Sequence, residues 1–236
     1  MMNQEKTYEI IPVDLGMVNA YLLKGSNGKA ILIDCGIPGS DKAILKTMAE
    51  AGIQNNDLQL IIITHGHSDH MGAISALRDV TGAKTMIHTA DADVLRTARS
   101  PQLYPINTIG RIFAFVNRFG DGIIKGIVPY EPELVIEGEV SLQEFGIDGK
   151  VIETPGHTNG SISVLLDDGS AYVGDLIMGS MFGKGKPNLP MHAESIEKEK
   201  NSIQKVISLA PKTIYTGHGG PFTLEEIKDN RSNFNF

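Results

Sequence analysis

The chain has 236 residues, of which 41% are hydrophobic and 21% charged, so it is long enough to bury a substantial core. Its formal net charge of -7 argues against a surface that collects phosphate groups, because nucleic-acid binding needs an excess of Lys and Arg. We predict a single domain over residues 1–236 that has no nucleic-acid partner.

The N-terminal residues and the cysteine usage give an expectation about the compartment. The first residues are polar and lead into no apolar segment, so no signal peptide is predicted. No apolar run approaches the roughly 18 residues that a membrane-spanning helix needs. Cys35 is the single cysteine, which excludes an internal disulfide and a thiolate zinc cage. We expect a cytoplasmic protein that does not enter a membrane and that holds any metal by His, Asp or Glu.

Hydrophobic periodicity predicts alternating strands and helices along the chain. The first half gives strands at 8–13, 19–24 and 30–34, a helix at 41–51, a strand at 60–63, a helix at 71–80, a strand at 83–87 and a helix at 90–98. The second half gives strands at 134–136, 151–153, 162–166, 171–173 and 213–215, with a long helix at 194–209 before the last strand.

Between residues 100 and 133 the pattern loosens. The stretch 106–116 is unusually apolar for an insertion; it includes Phe113 and Phe115, and Phe119 follows it. A lid or acyl-binding wall over a site, burial against the core, and a dimer interface each explain this composition. We favour a structural or interface role, and the interface would make the protein a homodimer.

One construction recurs, in which an aliphatic strand leads through Thr to a Gly-His or His-Gly step. It occurs at 62–67, 151–157 and 214–218, and a fourth strand ends in Gly174-Asp175. Strands that lie side by side and each carry a polar side chain at the carboxyl end gather those side chains at one edge of the sheet. The sequence therefore predicts one site assembled from distant segments.

The segment 65–70 is the strongest local signal, because it places three imidazoles and one carboxylate within six residues. A single histidine near a strand end is usually structural, whereas this cluster is costly unless a cation binds it. Together with the downstream strand ends, the candidate ligands are His65, His67, Asp69, His70, His157, Asp175 and His218.

The number of donors predicts two metal ions. Seven donors exceed the three protein ligands of a single catalytic zinc. Imidazole and carboxylate without thiolate suit zinc first, with iron or manganese as alternatives. Two cations roughly 3.5–4 Å apart share a hydroxide that is formed near neutral pH and acts as the nucleophile.

The pattern His65-x-His67-x-Asp69-His70, followed by His157, Asp175 and His218, resembles the metallo-β-lactamase superfamily. The resemblance extends from the strand at Asn19 to Gly219 and implies a four-layer αββα sandwich of two mixed β-sheets flanked by helices. It implies that His65, His67 and His157 bind the first metal, that Asp69, His70 and His218 bind the second, and that Asp175 bridges them. It also implies that Asp34 supports the metal-binding loop without being a metal ligand itself.

Within this superfamily, the sequence is most similar to small glyoxalase II-like and lactonase-like hydrolases. True β-lactamases typically lack a bridging aspartate and are exported, and nucleases carry extra domains or basic surfaces. Few residues follow His218, so we expect no helical C-terminal domain of the glyoxalase II type.

We predict a dizinc hydrolase that cleaves an ester, lactone or thioester of a small molecule through a metal-bridging hydroxide. Asp69 is also a candidate proton shuttle in that reaction. The alternatives are a mononuclear non-haem iron oxidoreductase similar to persulfide dioxygenases, and a noncatalytic metal-binding protein.

Five further residues receive a structural interpretation. His88 follows a strand but the ligand set is already full, and His192 is predicted to be a cap or a surface imidazole. Lys184 and Lys186 lie in a glycine-rich loop after Asp175, where solvated side chains are favoured over binding of a substrate carboxylate. Cys35 is predicted to be a small buried apolar residue.

Overall fold

The computed structural model describes residues 8–117 and 122–234. Two six-stranded sheets form its frame. The first consists, in spatial order, of β1 Tyr8–Asp14, β2 Asn19–Gly25, β3 Ala30–Ile33, β4 Leu58–Ile62, β5 Lys84–His88 and β6 Leu134–Ile136. The second consists, also in spatial order, of β7 Val140–Ser141, β8 Gly149–Glu153, β9 Ile162–Leu166, β10 Ser170–Tyr172, β11 Thr213–Tyr215 and β12 Phe222–Thr223.

Both sheets are mixed. In the first, β1, β2 and β3 are antiparallel neighbours, and β3 to β6 are parallel to one another. In the second, β10 and β11 are parallel and the other neighbours are antiparallel. The helices that cover the sheets are α1 Asp41–Glu50, α2 Ser68–Met71, α3 Ile74–Thr81, α4 Ala92–Thr97, α5 Thr108–Asn117, α6 Ile196–Ser208 and α7 Leu224–Asp229.

The two sheets pack face to face through one apolar layer. Leu23 and Ile31 of the first sheet lie in the same buried cluster as Val164 and Tyr172 of the second. Leu22, the neighbour of Leu23, points to the opposite face because side chains alternate along a strand. Both leucines are 0% exposed, so both faces of the first sheet are covered. Each such burial contributes roughly 1.5–3 kcal/mol.

Helices cover the outer face of each sheet. On the first sheet, Leu22 packs in a cluster with Ile44 of α1 and Leu77 of α3. On the second sheet, Ile214 packs in a cluster with Ile203 of α6 and Ile227 of α7. The order of layers is helix, sheet, sheet, helix, and the predicted αββα sandwich is confirmed.

The predicted strands and helices are present, with shifted ends and one break. The helix predicted at 71–80 is divided into α2 and α3 around Gly72, whose N–H donates to the carbonyl of Gly36 at 2.7 Å. A Cβ at Gly72 would lie 2.5 Å from Pro38 N, so the loop before α1 packs against the chain at this point. The strands β7 and β12, of two residues each, and the helix α7, of six, were not predicted, because segments this short carry no readable period.

The segment 100–133 contains the helix α5, which the loosened pattern did not predict. Ile109, Ile112, Phe115 and Val116 on this helix are all more than half exposed, so they do not pack in the core of this chain. Phe119 and the side chain of Phe113 lie outside the described residues. Burial against the core, one of the predicted alternatives, is therefore wrong for Phe115, and the lid and the dimer interface stay predictions. Within the described ranges, no helix combines the length and apolar character needed to cross a bilayer.

Candidate metal centre

Polar side chains follow the carboxyl ends of four strands, one in the first sheet and three in the second. His65 comes after β4 in the first sheet, and His157, Asp175 and His218 come after β8, β10 and β11 in the second. Because the sheets face each other, these four strand ends meet at one edge of the sandwich. The remaining candidates are in the turn that follows β4, where His67 immediately precedes α2 and the single turn of α2 carries Asp69 and His70.

The structure brings all seven predicted side chains together in three overlapping groups. Within each group one ligand atom from every residue lies within 4.8 Å of the others. The groups are His65, His67 and His157; His65, His70 and Asp175; and Asp69, His70 and His218. The first and third match the two metal positions implied by the sequence, and the second joins them.

Asp175 lies between the two positions. Its Oδ1 is 3.4 Å from His70 Nε2, and its Oδ2 is 3.7 Å from His157 Nε2 and 3.5 Å from His218 Nε2. One carboxylate therefore faces histidines of both groups, which is the geometry that a bridging ligand requires.

Main-chain carbonyls fix the orientation of two imidazoles. His157 Nδ1 is 2.7 Å from the carbonyl of His192, and His218 Nδ1 is 2.5 Å from the carbonyl of Met17. A carbonyl oxygen only accepts, so each imidazole donates from Nδ1. In the neutral ring the Nε2 lone pair is then left for a metal, as is usual when a second group orients a ligating histidine.

A buried carboxylate, Asp34, orients two more imidazoles. His70 Nδ1 donates to Asp34 Oδ2 at 2.8 Å, and Thr64 Oγ1 donates to the same oxygen at 2.8 Å. Because the proton of the Thr64 hydroxyl is used in that bond, His65 Nδ1, 3.1 Å away, donates to Thr64 Oγ1. Both rings thus also direct Nε2 into the cluster. His67 differs, since its Nδ1 is the atom that lies 2.8 Å from His157 Nε2.

Three buried atoms in the cluster test whether these residues fit a cation. Among the described residues, His65 Nε2, His70 Nε2 and Asp175 Oδ1 have no hydrogen-bond partner, and all three belong to one group of ligand atoms. Buried polar atoms are rarely left unpaired, because each costs free energy in a folded protein. A cation would satisfy all three, so the donor set fits a metal.

The two halves of the cluster differ in protonation. Burial lowers the pKa of His65 and of His157, and burial together with the His157 imidazole lowers the pKa of His67 to about 3. These three rings are therefore neutral at pH 7 and present lone pairs to a cation without losing a proton.

In the other half, carboxylates hold protons on the histidines. Burial alone would lower the pKa of His70, but Asp175 and Asp34 raise it well above 6.5. Burial also opposes protonation of His218, whose pKa is nevertheless raised by Asp175 and by a hydrogen bond to Asp69. A cation in this half has to displace these protons.

The residues set aside in the sequence lie in structural or solvated surroundings, and Lys186 is exposed, as predicted. His88 Nε2 donates to Glu153 Oε1 at 3.0 Å and its Nδ1 accepts from the N–H of Ala90, in agreement with a structural role. Lys184 forms an ion pair with Glu226, and Cys35 is fully buried.

The prediction that His192 is a cap or a surface imidazole was wrong, because its side chain is neither. It is 6% exposed, and its Nε2 donates to the carbonyl of Gly110 in α5 at 3.1 Å. The roles of the carbonyls of His192 and Met17 were missed, since residue type carries no information about where a main-chain oxygen points.

Comparison with known proteins agrees with this geometry. Residues 13–218 match the model of the metallo-beta-lactamase superfamily. The chain is 29% identical to the probable metallo-hydrolase YflN of Bacillus subtilis, covering 85% of this chain and 79% of that protein. It is 31% identical to the probable metallo-hydrolase MJ0888 of Methanocaldococcus jannaschii, covering 85% and 87%. It is 30% identical to a hydroxyacylglutathione hydrolase of Cereibacter sphaeroides, covering 74% of this chain and 52% of that enzyme.

Solved structures share the fold. The BLEG-1 B3 metallo-beta-lactamase superposes with a TM-score of 0.69 at 23% identity, over 94% of this chain and 96% of that one. TTHA1623, solved in a di-iron-bound form, superposes with a TM-score of 0.65 at 22% identity, over 93% and 96%.

Proposed function

The chain belongs to the metallo-beta-lactamase superfamily, whose hydrolases it resembles over most of its length, and we propose that it is a dinuclear zinc hydrolase of an ester, lactone or thioester. The observation that carries this proposal is the overlap of the groups of ligand atoms, with the Asp175 carboxylate facing both of the outer ones.

The first metal position would use His65 Nε2, His67 Nδ1 and His157 Nε2, and the second would use Asp69, His70 Nε2 and His218 Nε2, with Asp175 shared. Nitrogen and oxygen donors without thiolate support zinc, and they also accept iron or manganese. Because TTHA1623 was solved with two irons, the identity of the metal belongs to the test.

When bound, the metal pair supplies a water-derived nucleophile at neutral pH and a Lewis acid for the substrate carbonyl. The chain itself holds the ligands and moves protons. The side chain of Asp69 is 37% exposed while its Oδ2 lies 3.2 Å from His218 Nε2, so this carboxylate contacts both the centre and solvent. His70 and His218 keep the pKa of Asp69 below its usual range although burial opposes this. We therefore propose Asp69 first as a ligand and second as the residue that accepts the proton lost by the attacking water and passes it to the leaving group.

The substrate class rests on chemistry and on one named relative. A nucleophile next to an electrophile suits attack on an ester, lactone or thioester carbonyl. The hydroxyacylglutathione hydrolase relative supports the thioester, although this chain spans about half of that enzyme. The net charge of -7 disfavours nucleic acid, so we propose a small-molecule substrate. The cytoplasmic location stays a prediction.

Two roles of the helix α5 are compatible with this proposal. Its exposed apolar side chains would either cover a bound substrate as a lid or pack against a second copy in a homodimer. The link from His192 Nε2 to the carbonyl of Gly110 places the helix next to the loop that holds His157. This proximity supports the lid, and the molar mass of the protein in solution would reveal the dimer.

The test is metal analysis coupled to an activity panel. The full chain is purified without chelator, zinc, iron and manganese are quantified, and lactones, thioesters and phosphodiesters are assayed. We expect about two zinc ions per chain and hydrolysis of a carbonyl substrate. Asp175→Ala should abolish hydrolysis, whereas Asp229→Ala, the same change at an exposed aspartate in α7, should not.

Other results would overturn the proposal in distinct ways. One iron per chain with oxygen consumption would replace the hydrolase by a mononuclear iron oxidoreductase similar to persulfide dioxygenases. Cleavage of phosphodiesters alone would contradict the carbonyl substrate. Two bound zinc ions with no turnover in the panel would contradict the substrate class and leave the metal centre in place.

A further inference from the structure

Asp91 is a buried aspartate directly before α4, and its carboxylate does not serve that helix. It occupies the N-cap position, where aspartate commonly accepts hydrogen bonds from the first turn, yet its side chain makes no capping bond. The residue is 7% exposed. Because a buried charge is costly without partners, the reason for an acidic residue here has to lie in other contacts.

One oxygen of Asp91 accepts hydrogen bonds from two different loops. The N–H of Gly66 donates to Oδ2 at 2.7 Å, and Thr158 Oγ1 donates to the same atom at 2.7 Å. Gly66 stands between the first two histidines of the cluster, and Thr158 directly follows His157. The carboxylate therefore joins the two loops that carry the three histidines of the first metal position.

Both loops pack tightly around this carboxylate. A Cβ at Gly160 would lie 2.5 Å from Asp91 Cγ, and a Cβ at Gly66 would lie 3.3 Å from Asp91 Oδ2. Glycine at these positions lets the main chain approach the acceptor. The distance between the loops is thus set at the Asp91 carboxylate.

We propose that Asp91 is a positioning residue of the first metal position, a role that rests on the proposed dinuclear centre. Without the carboxylate, the Gly66 N–H is a buried donor that has lost its acceptor, whereas Thr158 Oγ1 keeps Ser161 Oγ at 2.9 Å. The turn at Gly66 then relaxes, and the imidazoles on either side of it lose their fixed spacing to His157.

The contacts of Asp34 differ from those of Asp91 and distinguish the roles of the two residues. Its carboxylate bonds to His70 and to Thr64, so it holds chiefly the second position. Two buried carboxylates thus share the support of the centre: Asp91 joins the loops of the first position, and Asp34 bonds directly to His70 of the second and reaches His65 of the first only through Thr64. Removing each should weaken mainly its own position.

The experiment measures zinc binding alone, by competition with a chromogenic chelator, and needs no substrate. The starting variant is His218→Ala, which removes a ligand of the second position and leaves the first to be read by itself. Adding Asp91→Ala should weaken that zinc roughly ten- to a hundredfold, as loss of a group that orients ligands does. Asp91→Asn keeps an acceptor for Gly66 and should recover part of the loss. Adding Asp34→Asn should weaken the zinc less than Asp91→Ala, and the exposed Asp229→Ala should leave it unchanged.

A merely structural role would lower the unfolding temperature of the Asp91 variants without changing zinc affinity, and that result overturns the proposal. If Asp91→Ala does not fold, the isosteric Thr158→Val decides, since it removes the other donor to the same oxygen, and an unchanged affinity again overturns it. If the wild-type chain binds two zinc ions without hydrolysing a carbonyl substrate, the proposed substrate class is refuted. The role of Asp91 is still supported in that case if the zinc affinities of the variants follow the expected order. A wild-type chain that binds no zinc overturns both proposals.

Discussion

The substitution Asp34→Asn should weaken the second metal position through the tautomer of a single histidine. Asp34 is 2% exposed; its Oδ1 accepts from the N–H of Thr64 at 2.8 Å, and its Oδ2 accepts from Thr64 Oγ1 and from His70 Nδ1, both at 2.8 Å. Asparagine has the same shape but replaces one oxygen by an NH2 donor. That NH2 cannot face the Thr64 N–H, because two donors would meet. It therefore takes the place of Oδ2 and faces His70 Nδ1.

The expected loss of zinc affinity follows from the two ways in which the His70 imidazole can respond to the new NH2 group. If His70 accepts from the new NH2 at Nδ1, its proton moves to Nε2, the atom needed for the metal. If it keeps the proton on Nδ1, a hydrogen bond to a charged group is lost, which costs about 1.5–3 kcal/mol. Either outcome predicts a decrease in zinc affinity of roughly ten- to a hundredfold at the second position. The fold should survive, since Asp34 has φ 57 and asparagine tolerates that conformation.

The assay is zinc competition with the wild-type chain and the Asp34→Asn variant, together with thermal unfolding of both without metal. Asp229→Asn serves as the matched control, because it makes the same change at an exposed aspartate. One of two zinc equivalents should weaken strongly and the other less. A folded Asp34→Asn variant that binds both zinc ions with wild-type affinity would refute the tautomer argument.

Three further expectations test other parts of the centre. The pKa values of His70 and His218 are raised, so both rings keep a proton to higher pH than a free histidine does, and zinc has to displace those protons. Zinc affinity at the second position should therefore rise with pH, by about tenfold per unit for each proton released, and a flat competition titration between pH 6 and 8 would contradict this. Gly217→Ala would place a Cβ against Asp175 Oδ1 and 2.5 Å from His70 Cε1, so metal analysis should find a folded protein that has lost zinc. His192→Ala removes the bond to α5 but keeps the main-chain carbonyl, so KM should rise up to about tenfold with zinc retained, and loss of zinc would show that the side chain matters to the ligands.

Much of the fold could be read from the sequence because the strands are short apolar runs with clear ends. The strands β4 and β9 and the helix α1 appear close to their predicted limits. The helix α5 was not predicted, although Ile109, Ile112, Phe115 and Val116 recur at helical spacing; this apolar face remains exposed and does not pack on the core. The break at Gly72 depends on a contact with Pro38, which is distant in sequence and invisible to periodicity.

The sequence by itself determined the types of donor and their number, because chemistry depends on residue identity and the motif at 65–70 concentrates four donors in one turn. It also placed the remaining donors at strand ends, which a layered sheet brings to one edge. Only the tertiary structure decided which nitrogen of each imidazole faces the centre. That choice is made by the carbonyls of Met17 and His192 and by the carboxylate of Asp34, all of which reach the cluster from other segments. The same holds for Asp91, whose position before α4 predicts a helix cap, while the packing of two loops around it gives its carboxylate different partners.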